Sequence, residues 1–150
     1  MMIKFEVWSK NDEKDISNLM NNLYHEDPTG KPISLEKIEL TFKTLKSQPA
    51  RGKILTIKND NEIIGYSILI NFWSNEFGGN ILMLDELYIK PEFRSQGIGS
   101  TFINYLIKTR TENSVAIQLE VTPNNVLAKK LYKRLGFSDY ENHHLSLDLN

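Results

Sequence analysis

The apolar positions of this chain change rhythm as they run. In "IKFEVW", residues 3–8, apolar and polar side chains alternate with the period of a half-buried strand. The rhythm then lengthens: Ile16, Leu19, Met20 and Leu23 recur at helical spacing, and "YHEDPTGKP" breaks that helix. A second helix is predicted after Ser34, which is placed to cap it, with Ile38, Phe42 and Leu45 as its apolar stripe and its end near Pro49. Two strand-like runs follow, "KILTI" and "IIGYSILINFW", joined by Lys58-Asn59-Asp60-Asn61-Glu62, a composition suited to a tight hairpin. After the longer turn "SNEFGGN", the run "ILMLDELYI" is apolar on both faces, as expected of a central strand covered on two sides. Its two acids, Asp85 and Glu86, stand out.

The second half repeats the two periods. Ile98, Phe102 and Leu106, with Ile103 and Ile107 beside them, predict a helix, and "VAIQLEV" predicts a strand. Thr122 and Pro123 offer an N-cap and a first-turn proline to a helix whose stripe is Leu127, Ala128, Leu131, Tyr132 and Leu135, and which ends at Gly136. A last strand region runs from Phe137 through "HHLSLDL". The predicted order is β-α-α-β-β-β-α-β-α-β-β, a mixed α/β (α+β) fold around one sheet. At 150 residues, with prolines scattered and no repeat or low-complexity segment, the chain reads as one domain spanning 1–150.

Charge and composition remove several function classes. Eighteen Lys+Arg against 19 Asp+Glu give a net charge of −1, which argues against a nucleic-acid surface working by bulk charge. Without cysteine there is no disulfide, thiolate nucleophile or Cys-type zinc site, and His25, His143 and His144 lack metal-ligand spacing, so no metal is expected. The start lacks a signal-like apolar region and no run reaches the ~20 residues of a membrane span. A cytoplasmic protein free of membrane is the expectation.

The chemistry begins at "KPEFRSQGIGS", between an apolar strand and an apolar helix. A glycine-rich turn there presents backbone N–H groups at the positive end of the helix dipole, which suits a phosphate or pyrophosphate. It is neither a Walker loop nor a dinucleotide fingerprint: no Gly-Lys-Ser/Thr follows, and position 102 is Phe where a third glycine would stand. From spacing alone, an anion cradle and a tightly packed helix entry both remain open. Asp85 and Glu86 add a second clue. Neighbours on a strand point to opposite faces, so at most one of them easily faces a given cavity, and a carboxylate buried there would have a raised pKa and could take a proton from an ammonium. Glu86 is preferred over Asp85.

Arg94-x-x-Gly97-x-Gly99 after "LDELYIKPEF", followed by Asn125, Ala128, Leu131, Tyr132, Gly136 and Phe137 in "NNVLAKKLYKRLGF", resembles the signature of the GNAT (Gcn5-related N-acetyltransferase) superfamily. The resemblance covers roughly residues 53–140. It implies a mostly antiparallel mixed sheet of six to seven strands with about four helices and two splayed central strands. It further implies acetyl-CoA as co-substrate, its pyrophosphate on the loop Arg94, Ser95, Gln96, Gly97, Ile98, Gly99 and Ser100. Its pantetheine would lie along Leu87, Tyr88 and Ile89, with Asn125 near that arm. Tyr132 would be the general acid for the leaving thiolate, the Leu87 N–H an oxyanion donor, and Glu86 or Asp85 the base. Tyr24, Glu26, Asp27, Phe72, Trp73 and Glu76 would form an aromatic, acidic mouth, with Tyr24, Asp27 and Trp73 touching the acceptor. The expected activity is acetyl transfer to a primary amine of a small molecule, a polyamine or amino-acid derivative, in a ternary complex. A homodimer is compatible with it. The competing readings are a protein or peptide N-acetyltransferase, a non-catalytic acyl-CoA-binding module and a generic nucleotide-phosphate binder.

Overall fold

Nine regular elements carry the described residues: β1 (Ile3–Val7), α1 (Glu13–Glu26), α2 (Leu35–Ser47), β2 (Gly52–Asn59), β3 (Glu62–Ser74), β4 (Gly79–Ile89), α3 (Ile98–Thr109), β5 (Ala116–Leu119) and α4 (Val126–Arg134). The computed structural model describes residues 1–28 and 30–150; Thr29, within the segment expected to face an acceptor, lies outside them. The strands form one sheet in the order β1-β2-β3-β4-β5, antiparallel as far as β4 and parallel between β4 and β5. This is the mixed α/β fold expected, in the expected element order as far as α4.

Beyond α4 the expectation fails. Five strands are present among the described residues where six to seven were expected, and residues 138–150 form no ladder. Leu145, Leu147 and Leu149 do alternate, yet they are 90%, 83% and 88% exposed. Alternation supplies an apolar face, but a strand also needs a neighbouring edge for its N–H and C=O groups, and the outer edge of β5 is only four residues long. The start of α4 also differs. Its cap is Asn125, whose side chain accepts the Ala128 N–H at 3.2 Å, while the Thr122 carbonyl accepts the Asn125 N–H at 3.0 Å in the turn before it. Pro123 therefore lies in that turn and not inside the helix. By contrast Ser34 caps α2 as predicted, accepting the Lys37 N–H at 3.3 Å.

The sheet is covered on both faces. Ile16, Leu19 and Met20 of α1 and Ile38, Phe42 and Leu45 of α2 pack on one face, against Ile54, Tyr66, Ile68 and Tyr88. Ile98, Phe102, Ile103 and Leu106 of α3 pack on the other, against Leu55, Ile57, Ile64, Leu69, Leu82 and Leu84, with Tyr132 and Leu135 of α4 beside them. This two-sided burial explains why the central strands read as continuous apolar runs.

β4 changes parity midway. Leu82 and Leu84 face α3, and beyond them Leu87 and Ile89 do so, while Tyr88 faces α1. The switch comes from a bulge: Ile68 of β3 pairs with Glu86, but the next residue, Leu69, pairs with Leu84, which leaves Asp85 as the extra residue.

Candidate active site

β4 and β5 part company at the bulge. Their parallel pairing covers only Ile81–Leu84 against Ala116–Leu119, and beyond it β4 continues to Ile89 without a β5 partner. The expected splay is thus present, but between β4 and the edge strand β5 and not between two central strands. A cavity of about 330 Å³ opens in the fork, lined by Leu84, Asp85, Glu86 and Leu87 on one side and by Leu119, Glu120, Val121 and Thr122 on the other. Tyr24 and Asp27 close it from α1 and its following turn, and Asn125, Ala128 and Tyr132 from α4.

The bulge decides the placement of the two acids. Strict alternation would send Asp85 and Glu86 to opposite faces; with one extra residue in β4 both line the same cavity. Glu86 accepts the Tyr24 hydroxyl at 2.8 Å on Oε2 and the Tyr66 hydroxyl at 2.7 Å on Oε1. Burial pushes the Glu86 carboxyl above its ordinary pKa, the two phenols pull it back, and the Asp85 charge raises it again, leaving it raised on balance. Both phenols are raised, chiefly by burial and by the facing Glu86, so they remain protonated donors at neutral pH. Asp85 still meets solvent through the cavity, but desolvation raises it too, followed by the charge of Glu120 across the fork.

Tyr132 faces this cavity from α4, its ring edge-on to Phe137 at 5.5 Å. Burial raises its pKa, so the phenol holds its proton, and its hydroxyl has no hydrogen-bond partner among the described residues. Asn125 lines the same cavity while capping α4, so the cap and the expected position beside the cofactor arm fall on one residue.

The glycine-rich loop enters α3 as a curled turn. Ser95 and Gly97 are both left-handed, with φ of 59° and 81°, and the Thr101 N–H bonds the Gly97 carbonyl at 2.9 Å. The N–H groups of Ile98, Gly99 and Ser100 precede that first bond and are the free donors of a helix N-terminus. The two glycines do different work. An added Cβ at Gly97 meets nothing within 4 Å, so positive φ alone calls for glycine there, whereas at Gly99 it meets Leu131 Cδ2 of α4 at 3.2 Å. Ile98 is 3% exposed and belongs to the core. The Gln96 amide donates to the Glu92 carbonyl at 3.0 Å.

Three expected site residues, Arg94, Tyr88 and Trp73, do not line the cavity. Arg94 is held by Glu26, Nη2 to Oε2 at 2.8 Å, and Nε donates to the Ile89 carbonyl at 2.7 Å; Tyr88 donates to the other Glu26 oxygen at 2.9 Å and faces α1, away from the fork. Trp73 pairs with Asn80, five residues along β3 from the partner of Glu86, roughly 16 Å at ~3.3 Å per residue. It is 70% exposed and does not line the cavity; Phe72 and Glu76 share that distant end. Tyr66 and Glu120, a support and a charged wall of the cavity, were not anticipated as site residues. Tyr66 looks like one more core aromatic in "IIGYSILINFW"; Glu120, an acid between Leu119 and Val121 in the run "VAIQLEV", carries the same signal that marked Asp85 and Glu86. Among the described residues no group of three or more His, Cys, Asp or Glu is disposed to hold a metal ion, and no helix is long and apolar enough to cross a membrane.

Against known proteins, the model of the Acetyltransferase (GNAT) family matches residues 17–137. Thialysine N-epsilon-acetyltransferase of Bos taurus is 36% identical over 78 residues, 51% of this chain and 45% of that protein. An uncharacterized N-acetyltransferase of Methanocaldococcus jannaschii is 29% identical over 101 residues, 67% of this chain and 45% of its own length. The chain thus spans about half the length of the curated relatives it matches. Among solved structures, a possible acetyltransferase from Clostridium difficile 630 superposes with a TM-score of 0.85 at 22% identity, over 100% of this chain and 99% of that one. The predicted acetyltransferase of Clostridium acetobutylicum, solved with acetyl-CoA, gives 0.78 at 17%, over 99% and 97%. These structural likenesses show the fold.

Proposed function

The chain belongs to the GNAT family of acetyltransferases, and we propose that it moves the acetyl group of acetyl-CoA to a primary amine of a small cationic molecule by direct transfer. The observation that carries this reading is the fork cavity. Among the described residues, four carboxylates, of Asp27, Asp85, Glu86 and Glu120, line it with no Lys, Arg or His, beside the Tyr132 phenol, whose hydroxyl bonds none of those residues. Such a lining attracts an ammonium and favours an acceptor with a second positive group.

Proton handling follows from the environment of each side chain. An alkylammonium, with a pKa near ~10.4, must lose a proton before its nitrogen can attack the thioester carbon. Glu86, whose pKa burial raises, takes that proton in its ionised form, directly or through water. As the new C–N bond forms and the C–S bond breaks, the nitrogen sheds its second proton to solvent, while Tyr132 gives its proton to the departing sulfur and recovers one from solvent. The net products are the amide, the free thiol of CoA and one released proton. The loop from Arg94 to Ser100 would hold the pyrophosphate on the free N–H groups of α3, and the unpaired stretch of β4 from Leu87 would receive the pantetheine amides. The name of the thialysine relatives states an amine at the end of an amino-acid side chain, which supports the same acceptor class.

The test is release of free thiol from acetyl-CoA by the purified protein, across diamines, lysine-like amino acids, monoamines and a peptide with a free N-terminus. Turnover should be highest on the compounds with two cationic groups, and Tyr132→Phe should lower kcat about 10²-fold with CoA affinity unchanged. Tight CoA binding with no thiol release on any amine would make the chain a binding module instead.

A further inference from the structure

Two tyrosine–glutamate pairs join α1 to β4, and they run in opposite directions. Tyr24 of α1 donates to Glu86 of β4 at 2.8 Å, and Tyr88 of β4 donates to Glu26 of α1 at 2.9 Å. The last turn of α1 is therefore held to β4 at two points. One of them fixes the carboxylate that lines the fork cavity; the other is a part-buried bond, its tyrosine only 4% exposed and its glutamate open to solvent on one side.

Glu26 has a second partner. Its Oε2 accepts from Arg94 Nη2 at 2.8 Å, while Arg94 Nε donates to the Ile89 carbonyl at 2.7 Å and the guanidinium carbon lies 5.2 Å from the centre of the Tyr88 ring. Three restraints thus converge on the first residue of the glycine-rich loop. The carboxylate that supplies one of them ends the helix that carries Tyr24.

We infer that Glu26 is a positioning residue: acting through Arg94 and Tyr88, it fixes the acetyl-CoA loop and the acceptor-side turn of α1 relative to one another. The inference rests on reading residues 94–100 as the acetyl-CoA cradle. It also gives Arg94 a role as clamp of the loop and not as counter-ion of the phosphates, because its charge is already engaged by Glu26.

Electrostatics and positioning predict opposite signs here. A carboxylate close to an anion-binding loop repels the anion, so on charge alone neutralising Glu26 would tighten CoA binding. If Glu26 instead maintains the shape of the loop, neutralising it loosens Arg94 and weakens binding. The ion pair by itself is worth little, since both side chains are about 40% exposed (41% and 39%). The part-buried Tyr88 bond and the contact of Arg94 with the Tyr88 ring add to the pair.

The experiment is a calorimetric titration of CoA into wild type, Glu26→Gln, Arg94→Ala, the double variant and Tyr88→Phe, with amine KM and kcat measured on the same proteins. Glu26→Gln should raise the CoA Kd about 3- to 10-fold, and raise the amine KM more than it lowers kcat. Arg94→Ala should do the same, and the double variant should be no worse than the poorer single one, as expected of residues acting as a unit. Tyr88→Phe keeps the ring under Arg94 and removes only the hydrogen bond; it should move both constants the same way, and it decides the matter if Glu26→Gln melts early. CoA binding as tight as wild type or tighter in Glu26→Gln, or effects that multiply in the double variant, would overturn the inference. Wild-type protein that does not bind CoA would instead overturn the reading of the loop, and the inference with it.

Discussion

Glu86 is a carboxylate under opposing pulls. Burial and the neighbouring Asp85 favour its protonated form, and the hydroxyls of Tyr66 and Tyr24 favour the charged one. The balance leaves its pKa raised, which gives activity and stability opposite dependences on pH. A base works only when ionised, so kcat/KM for the amine should fall as pH drops through the Glu86 pKa. Tyr66→Phe removes one of the two donors that favour the charge, so the acid limb should move to higher pH; an unmoved limb would take Glu86 out of the role of base. Glu86→Gln should lower kcat about 10²- to 10⁴-fold. For stability, the folded pKa lies above the unfolded one, so the folded state binds the proton more tightly and the ionised group costs stability as pH rises. Glu86→Gln should therefore melt relatively higher than wild type at neutral pH. That advantage should shrink on acidification and vanish below about pH 4, the ordinary carboxylate range. Thermal melts of both proteins across that pH series give the check.

At the scale of elements, α4 depends on how it starts. Asn125 satisfies the Ala128 N–H, and a helix of nine residues has few other bonds to lose. Asn125→Ala should cost about 1 kcal/mol, roughly 2–4 °C in Tm for a chain of this size. It should also lower turnover, because Tyr132 rides on the same helix; unchanged melting would leave Asn125 no structural role as cap. The later start of α4 shows where reading from sequence stops. Helical and strand periods located every element up to α4, since burial on two faces of one sheet writes itself into the spacing of apolar residues. The cap depended on which of Thr122 and Asn125 reached an N–H three residues on, a matter of local backbone angles. The shared cavity of Asp85 and Glu86 depended on a bulge, and one extra residue in a strand leaves no mark on an apolar run. Glu26 and Arg94 are 68 residues apart, and nothing local joins them. The leucines of "HHLSLDL" alternate like a strand, yet pairing requires a partner edge that the sequence pattern does not describe. The acids of β4 stood out as charges in an apolar run, and the resemblance pointed to Tyr132; the structure places all three side chains on the fork cavity.

The molecule as a whole is two helical layers on one sheet, with the fork at its weakest seam. β1 to β4 are joined by long antiparallel ladders, whereas β5 and the α4 that follows hang on four parallel pairs, Ile81 to Leu84 with Ala116 to Leu119. Unpaired backbone on β4 beyond Leu84 is a standing cost unless water or a ligand satisfies it. A ligand bearing amides of its own can lie along that backbone and brace β5 against β4, which a phosphate-only ligand cannot do. CoA at 100 times its Kd should stabilise the fold by about 2.7 kcal/mol, raising Tm by roughly 5–10 °C. The protection should also be local. Amide hydrogen exchange should slow at residues 85–89, at the loop 95–100 and at 120–125, with β1 to β3 little changed. ATP carries phosphates without the pantetheine amides; it should protect the loop alone and raise Tm less. Equal protection by ATP and CoA across the fork would mean that the anion site is all there is, and that the splayed strands are not a seat for the acyl carrier.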